Sequence, residues 1–249
     1  MRALRSSPRK LARPRSVRNL ARLATLELTR RAAASKLSHA LSAVLAAMLV
    51  ATAVAAAPFA ALTVTPAGAQ QYDMTTGITT LPDGGSIVDQ DTGVALEAQR
   101  IVYLAGVYVE AWGVRLAGTF GDVDAEELRI DLVAGLLTAT GGLSLTREAL
   151  TVNAAELTYH AAGQVAVFAG GVTGSNPRFQ SERVLLDVAS GDVLLDGEYT
   201  FEGGVFALQS PEGGGVLALR LVVKEAGEAA YDAATEPAPE LLERFAPYL

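Results

Sequence analysis

Four acids fall close together at Asp122, Asp124, Glu126 and Glu127. Closely set carboxylates are what a calcium ion would need, but the spacing is not that of a helix-flanked calcium loop. Solvated turn acids are the commoner cause of such a cluster. His160 is the only histidine after residue 39, and one imidazole cannot make a His-rich metal site. No G-x-S-x-G elbow occurs, and Gly174-Ser175-Asn176-Pro177 reads as a turn. The chain has no cysteine, so disulfides and thiolate metal sites are excluded. A carboxylate pair for glycoside cleavage is a matter of spatial pairing, and no pair stands out in the sequence. The expectation is a protein that is not an enzyme, with no catalytic residue, no metal site and no cofactor.

The chemistry that remains is apolar. Leu128, Ile130 and Leu132 alternate with Arg129 and Asp131. In a strand, residues two apart face the same way, so the three leucine and isoleucine side chains share one face. Val165 and Val167 are spaced to do the same, as are Val184, Leu186 and Val188. If these eight side chains converge on one interior, they form a trough able to bind acyl chains.

The elements that would hold such a trough are strands. From Val94 to Lys224, short runs alternate apolar and polar, Gly or Asn marks their ends, and helical periodicity is absent. A repeat underlies the pattern. Gly106, Gly135, Gly163 and Gly191 recur at intervals of 28 or 29 residues, and Gly113, Gly141, Gly170 and Gly197 follow them six or seven residues later. An acid and an apolar phrase precede each pair, as in Glu126-Glu127-Leu128-Arg129-Ile130 and Glu182-Arg183-Val184-Leu185-Leu186. One unit reads as apolar strand, turn glycine, second strand, closing glycine, with strands of about 5–8 residues. A unit of this size cannot bury its own apolar face, so copies must stack.

Ala155-Glu156-Leu157-Thr158-Tyr159, then Gly163, then Phe168-Ala169-Gly170-Gly171-Val172 resembles the repeating phrase of the LptA/OstA-like family of periplasmic lipopolysaccharide-transport bridge proteins. Ser181-Glu182-Arg183-Val184-Leu185-Leu186-Asp187 matches the first half of the same phrase. The likeness runs over about residues 95–210. It implies an open antiparallel β-jellyroll of about four 28-residue repeats, with lipid or glycolipid acyl chains in its apolar interior. It also implies edge-strand pairing with envelope assembly proteins, or end to end between copies. The Gly-Asn-Val element of the family is only approximated, by Gly171-Val172.

Charge is distributed unevenly. Eleven of the 20 Lys and Arg precede residue 37, beside a single acid, Glu27, and Ala40 to Val64 carries no charge. Basic segment, apolar segment and small-residue site are the order of a secretory leader. Ala67-Gly68-Ala69 supplies the site, so residues 1–69 read as a leader cut after Ala69, delivering the rest to the periplasm. An uncleaved N-terminal membrane anchor facing the periplasm is the competing reading, since the uncharged run is long enough to span a bilayer. Beyond Ala69 there are nine basic residues against 26 acids, a net of −17. A field of that sign repels nucleic acid. It also departs from what phosphorylated lipid A would want near a trough mouth. Residues 70–94, rich in Thr, Gly and Asp, read as an irregular lead-in with one edge strand near Ser86–Asp89. Residues 95–224 read as the β-domain, and 225–249 as a linker with a short helix over Glu240–Phe245. Two further readings stand beside lipid binding. One is a structural or adhesive β-repeat protein with no lipid. The other is an outer-membrane barrel, which lacks the aromatic girdles and long strands it would need.

Overall fold

The alternation builds long strands. In the computed structural model, which describes residues 62–249 except 91, 119, 149 and 224–228, the central eight are β5 (Ala95–Leu104), β6 (Tyr108–Gly118), β7 (Gly121–Asp131), β8 (Leu136–Arg147), β9 (Leu150–His160), β10 (Val165–Ser175), β11 (Arg178–Asp187) and β12 (Val193–Glu202). Each is 10 to 12 residues long, longer than the 5–8 expected, because the second glycine of each unit does not end a strand. Each strand pairs antiparallel with its sequence neighbour. The fold is all-β, an open antiparallel jellyroll of stacked hairpins.

The two glycine rows have different jobs. Gly106, Gly135, Gly163 and Gly191 occupy equivalent turns between β5 and β6, β7 and β8, β9 and β10, and β11 and β12. The second row, Gly113, Gly141, Gly170 and Gly197, lies mid-strand with φ of +61 to +88°. A side chain there would collide with Gln99, Glu126, Ala155 and Glu182 respectively on the preceding strand. Around this row β8, β10 and β12 each shift register by one residue against their neighbours. Such bulges bend a strand sharply. Lined up across the sheet, they make a crease, and the sheet folds over along it so that its two halves face each other.

The repeat extends further toward the N-terminus than the sequence suggested. Residues 70–94 are not irregular: β2 (Gln71–Tyr72), β3 (Ile78–Leu81) and β4 (Gly85–Asp89) lie there. β3 and β4 run one after the other along β5. β1 (Leu62–Pro66) pairs with β4, and β2 with β3. Gly77, with φ +74°, stands at the hairpin turn 29 residues before Gly106. These strands therefore make an additional unit. At the other end, β13 (Ala207–Gln209) and β14 (Gly215–Val223) share the lane beside β12. β15 (Ala229–Ala234) follows on β14, a strand within the stretch read as linker. The strands are long enough for a barrel, but among the described residues the hydrogen-bonded path ends in β1 and β15 without joining them.

One core cluster fills the fold from Leu81 and Ile87 through Leu116, Val123 and Leu145 to Phe168, Leu186 and Leu219. A second lies on the opposite face of β10, β11, β12 and β14, where α1 (Pro239–Phe245) buries Leu241 and Phe245 against Val165, Leu185, Leu194 and Ala218. No helix among the described residues is long and apolar enough to cross a membrane. Most of the uncharged run from Ala40 to Val64 lies outside the described residues.

Candidate functional site

The interior of the folded sheet brings six of the eight expected side chains together. Leu128, Ile130, Val184 and Leu186 are buried in the main core, with Leu132 and Val188 half-buried against it. Val165 and Val167 are a correction: both belong to the opposite face, under α1. Their neighbours Ala166 and Phe168 point inward instead. In Val165-Ala166-Val167-Phe168 every residue is apolar because both faces are covered, so alternation carries no information about which way is in.

Between the two halves lies a wholly apolar slot. It is lined by Leu116, Phe120, Val123 and Leu145 from one side and by Leu157, Tyr159, Leu186 and Val188, among others, from the facing side. Half-buried Phe120, Tyr159 and Val188 close it along a seam. Phe120 meets Tyr159 there with ring centroids 6.1 Å apart. The Arg147 guanidinium donates a hydrogen bond to the Val188 carbonyl at 3.0 Å, tying the end of β8 to the turn after β11. Burial raises the Tyr159 phenol above its ordinary value. The same applies to Tyr231 on β15, where Arg147 pulls in the opposite sense and Glu148 and Asp192 add to the rise.

The slot is closed. Its free volume is about 20 Å³, against roughly 300–1,000 Å³ for a typical small-molecule site. An acyl chain enters only if the seam parts. Parting it breaks one hydrogen bond, worth about 1 kcal/mol net, and one ring pair, worth about 0.5–1.5 kcal/mol, and also separates the apolar side chains packed across the slot. A dozen buried methylenes gain roughly 10 kcal/mol before ordering costs. Phe120, Tyr159 and Arg147 were not singled out from sequence as site residues. Phe120 sits beside a connection and Arg147 at a strand end, positions where no periodicity indicates the neighbour across a fold.

The remaining residues with chemical capacity lie apart from the slot. Asp122, Asp124, Glu126 and Glu127 are spread along the exposed face of β7. Among the described residues no group of three or more His, Asp or Glu side chains is placed to hold a metal ion. The His160 ring rests on Tyr248, 4.8 Å between centroids. Asp187 holds α1 in place. Its carboxylate accepts from Arg244 Nε at 2.9 Å and from the backbone N–H of Ala189 at 2.9 Å. Burial pushes the Asp187 pKa up, but Arg244 and the turn amides outweigh it, and the carboxyl sits below its ordinary value.

No protein-family model matches the chain, and no curated protein matches it.

Proposed function

We propose that this domain is an exported envelope module that takes acyl chains of a lipid or glycolipid between the halves of its folded sheet. The observation that carries the reading is the wholly apolar slot between the two halves, closed at rest along the Phe120–Tyr159 seam. No charged side chain lines it, so a chain drawn in meets only hydrocarbon and ring faces. The resemblance of residues 95–210 to the lipopolysaccharide-transport bridge proteins points the same way. The net of −17 after Ala69 favours a ligand with fewer phosphates than lipid A. The edge of β15 and, once the leader is cut, that of β4 suit strand pairing with envelope assembly partners or a second copy. Catalysis has no part in this reading.

A structural or adhesive β-repeat role is the second reading, and the filled interior favours it. Titration of a fluorescent long-chain fatty acid decides between them. We expect saturable binding by the exported protein. Phe120→Asp and Val188→Asp place a charge at the half-buried seam and should weaken it at least tenfold, with circular dichroism confirming the fold. A folded wild type that takes up no probe sinks the lipid reading.

A further inference from the structure

We propose that the outer edge of β4 is a strand-acceptor lane, filled by the chain's own Leu62–Pro66 when the leader stays attached and left open when export processing has removed that segment. The inference rests on the leader reading, with cleavage after Ala69. It does not depend on what the interior binds.

The sequence places the processing site at Ala67-Gly68-Ala69, whereas the fold places β1 just before it. β1 is no loose extension. It pairs with β4 over five residues, from Leu62 opposite Asp89 to Pro66 opposite Gly85. Leu62 and Val64 turn inward and pack against the main core, while Thr63 and Thr65 face solvent. The acceptor strand is shaped for this neighbour: a side chain at Gly85 would collide with the Thr65 carbonyl and the Pro66 backbone. β1 also falls where the repeat requires a strand, in one lane with β2.

Folding and cutting at this site exclude each other in time. In the folded chain the Ala67 N–H donates to the Gly84 carbonyl at 3.0 Å, and Gly68 lies against the Asp83 carboxylate. A leader peptidase needs the site extended and unattached, so it acts before this lane forms. Hydrolysis of the Ala69–Gln70 amide consumes one water and leaves a carboxylate on Ala69 and an amine on Gln70. The mature chain keeps β2 on β3 but has nothing on β4. Unpaired edge groups and two vacant apolar positions then recognise an extended segment with apolar residues two apart. A chain whose leader stays attached carries its own plug.

The experiment uses protein recovered from the cell envelope, with its N-terminus sequenced first. A fluorescent peptide of residues 61–68 is then titrated and followed by anisotropy. A protein beginning at Gln70 should bind it saturably, and the same peptide carrying Val64→Asp should bind at least tenfold more weakly. A full-length Ala69→Glu protein, whose cleavage is blocked at an exposed position, should not bind it. An N-terminus at or before Leu62 overturns the proposal through the leader reading, because the lane is then permanently filled. A protein that begins at Gln70 and ignores the peptide, or binds both peptides equally, overturns the acceptor itself.

Discussion

β7 and β10 come from neighbouring repeat units, and they bury themselves differently. Along β7 the inner side chains Val123, Ala125, Leu128 and Ile130 are buried, while Asp124, Glu126, Glu127 and Arg129 face water. β10 buries Ala166 and Phe168 on one face and Val165 on the other. β10, the second strand of its unit, carries the crease glycine Gly170 that β7, a first strand, lacks, but each is an 11-residue strand paired along both edges. What differs is a cover: α1 lies over β10, β11, β12 and β14, and among the described residues nothing comparable lies over β7. A one-sided strand writes its orientation into the sequence. A two-sided strand writes only that it is buried.

The largest test of this contrast removes one aromatic from each face. Phe168 and Phe245 are both fully buried. Phe168→Ala opens a cavity in the core that joins the two halves of the sheet, and should cost about 3–5 kcal/mol of global stability. Phe245→Ala should cost less. The helix can leave while the sheet stays folded, so the loss cannot exceed the free energy of docking. Denaturant melts should show a clearly smaller midpoint shift for Phe245→Ala. Hydrogen exchange should rise over residues 239–248 and over the outer face of β10 and β11, with the inner strands of β6 and β7 unchanged. Equal midpoint shifts would mean that the helix is integral to the sheet and that the two regions are not separable.

The same contrast explains what the sequence disclosed. Leu128, Ile130, Val184 and Leu186 were correctly oriented, Val184 and Leu186 because their flanking Arg183 and Asp187 break the apolar run on the outer face. Val165 and Val167 were misassigned, because Ala166 and Phe168 between them are just as apolar. The turn glycines were legible, since spacing alone identifies a repeated turn. The crease was not: Gly113 and its equivalents looked like strand ends, and only the register shows that the chain continues through them. The additional unit at residues 62–89 was hidden by its short strands and by its overlap with the leader pattern. The seam could not be read at all, because Phe120 and Tyr159 meet through the folding of the sheet and not through any local period.

A smaller effect is expected at Asp187, the polar tie between the two-sided region and its cover. Asp187→Asn keeps an acceptor for the turn amides but loses the charge facing Arg244. The Arg244 side chain is 41% exposed, so solvent screens the pair, and the loss should be about 0.5–1 kcal/mol. The pH dependence follows from the lowered aspartate pKa. A carboxyl whose folded value lies below its unfolded one stabilises the fold above the ordinary aspartate range, near 3.9. That contribution disappears as pH falls through the folded value. Exchange protection of residues 239–248 should therefore drop in acid for the wild type. In Asp187→Asn it should be lower at neutral pH and nearly flat across the same window.

The smallest effect should come from the one-sided region's wet face. Arg129 is next to Ile130 in sequence, yet it points away from the core with its side chain 53% exposed. It forms an ion pair with Glu110 and lies 5.0 Å from the Tyr108 ring centre. Arg129→Asp exchanges that pair for a like-charge contact across β6 and β7, where Glu110 is the register partner. On an exposed sheet face such a reversal is worth about 0.2–1 kcal/mol, and added salt should reduce it further. Ile130→Asp, one residue along, buries an unpaired carboxylate in the core and should prevent folding or shift the melt by several kcal/mol. Thermal melts of the two variants at low and high salt measure the difference directly. If Arg129→Asp were as damaging as Ile130→Asp, the outer face of β7 would have to be covered in solution, and the contrast between β7 and β10 would vanish.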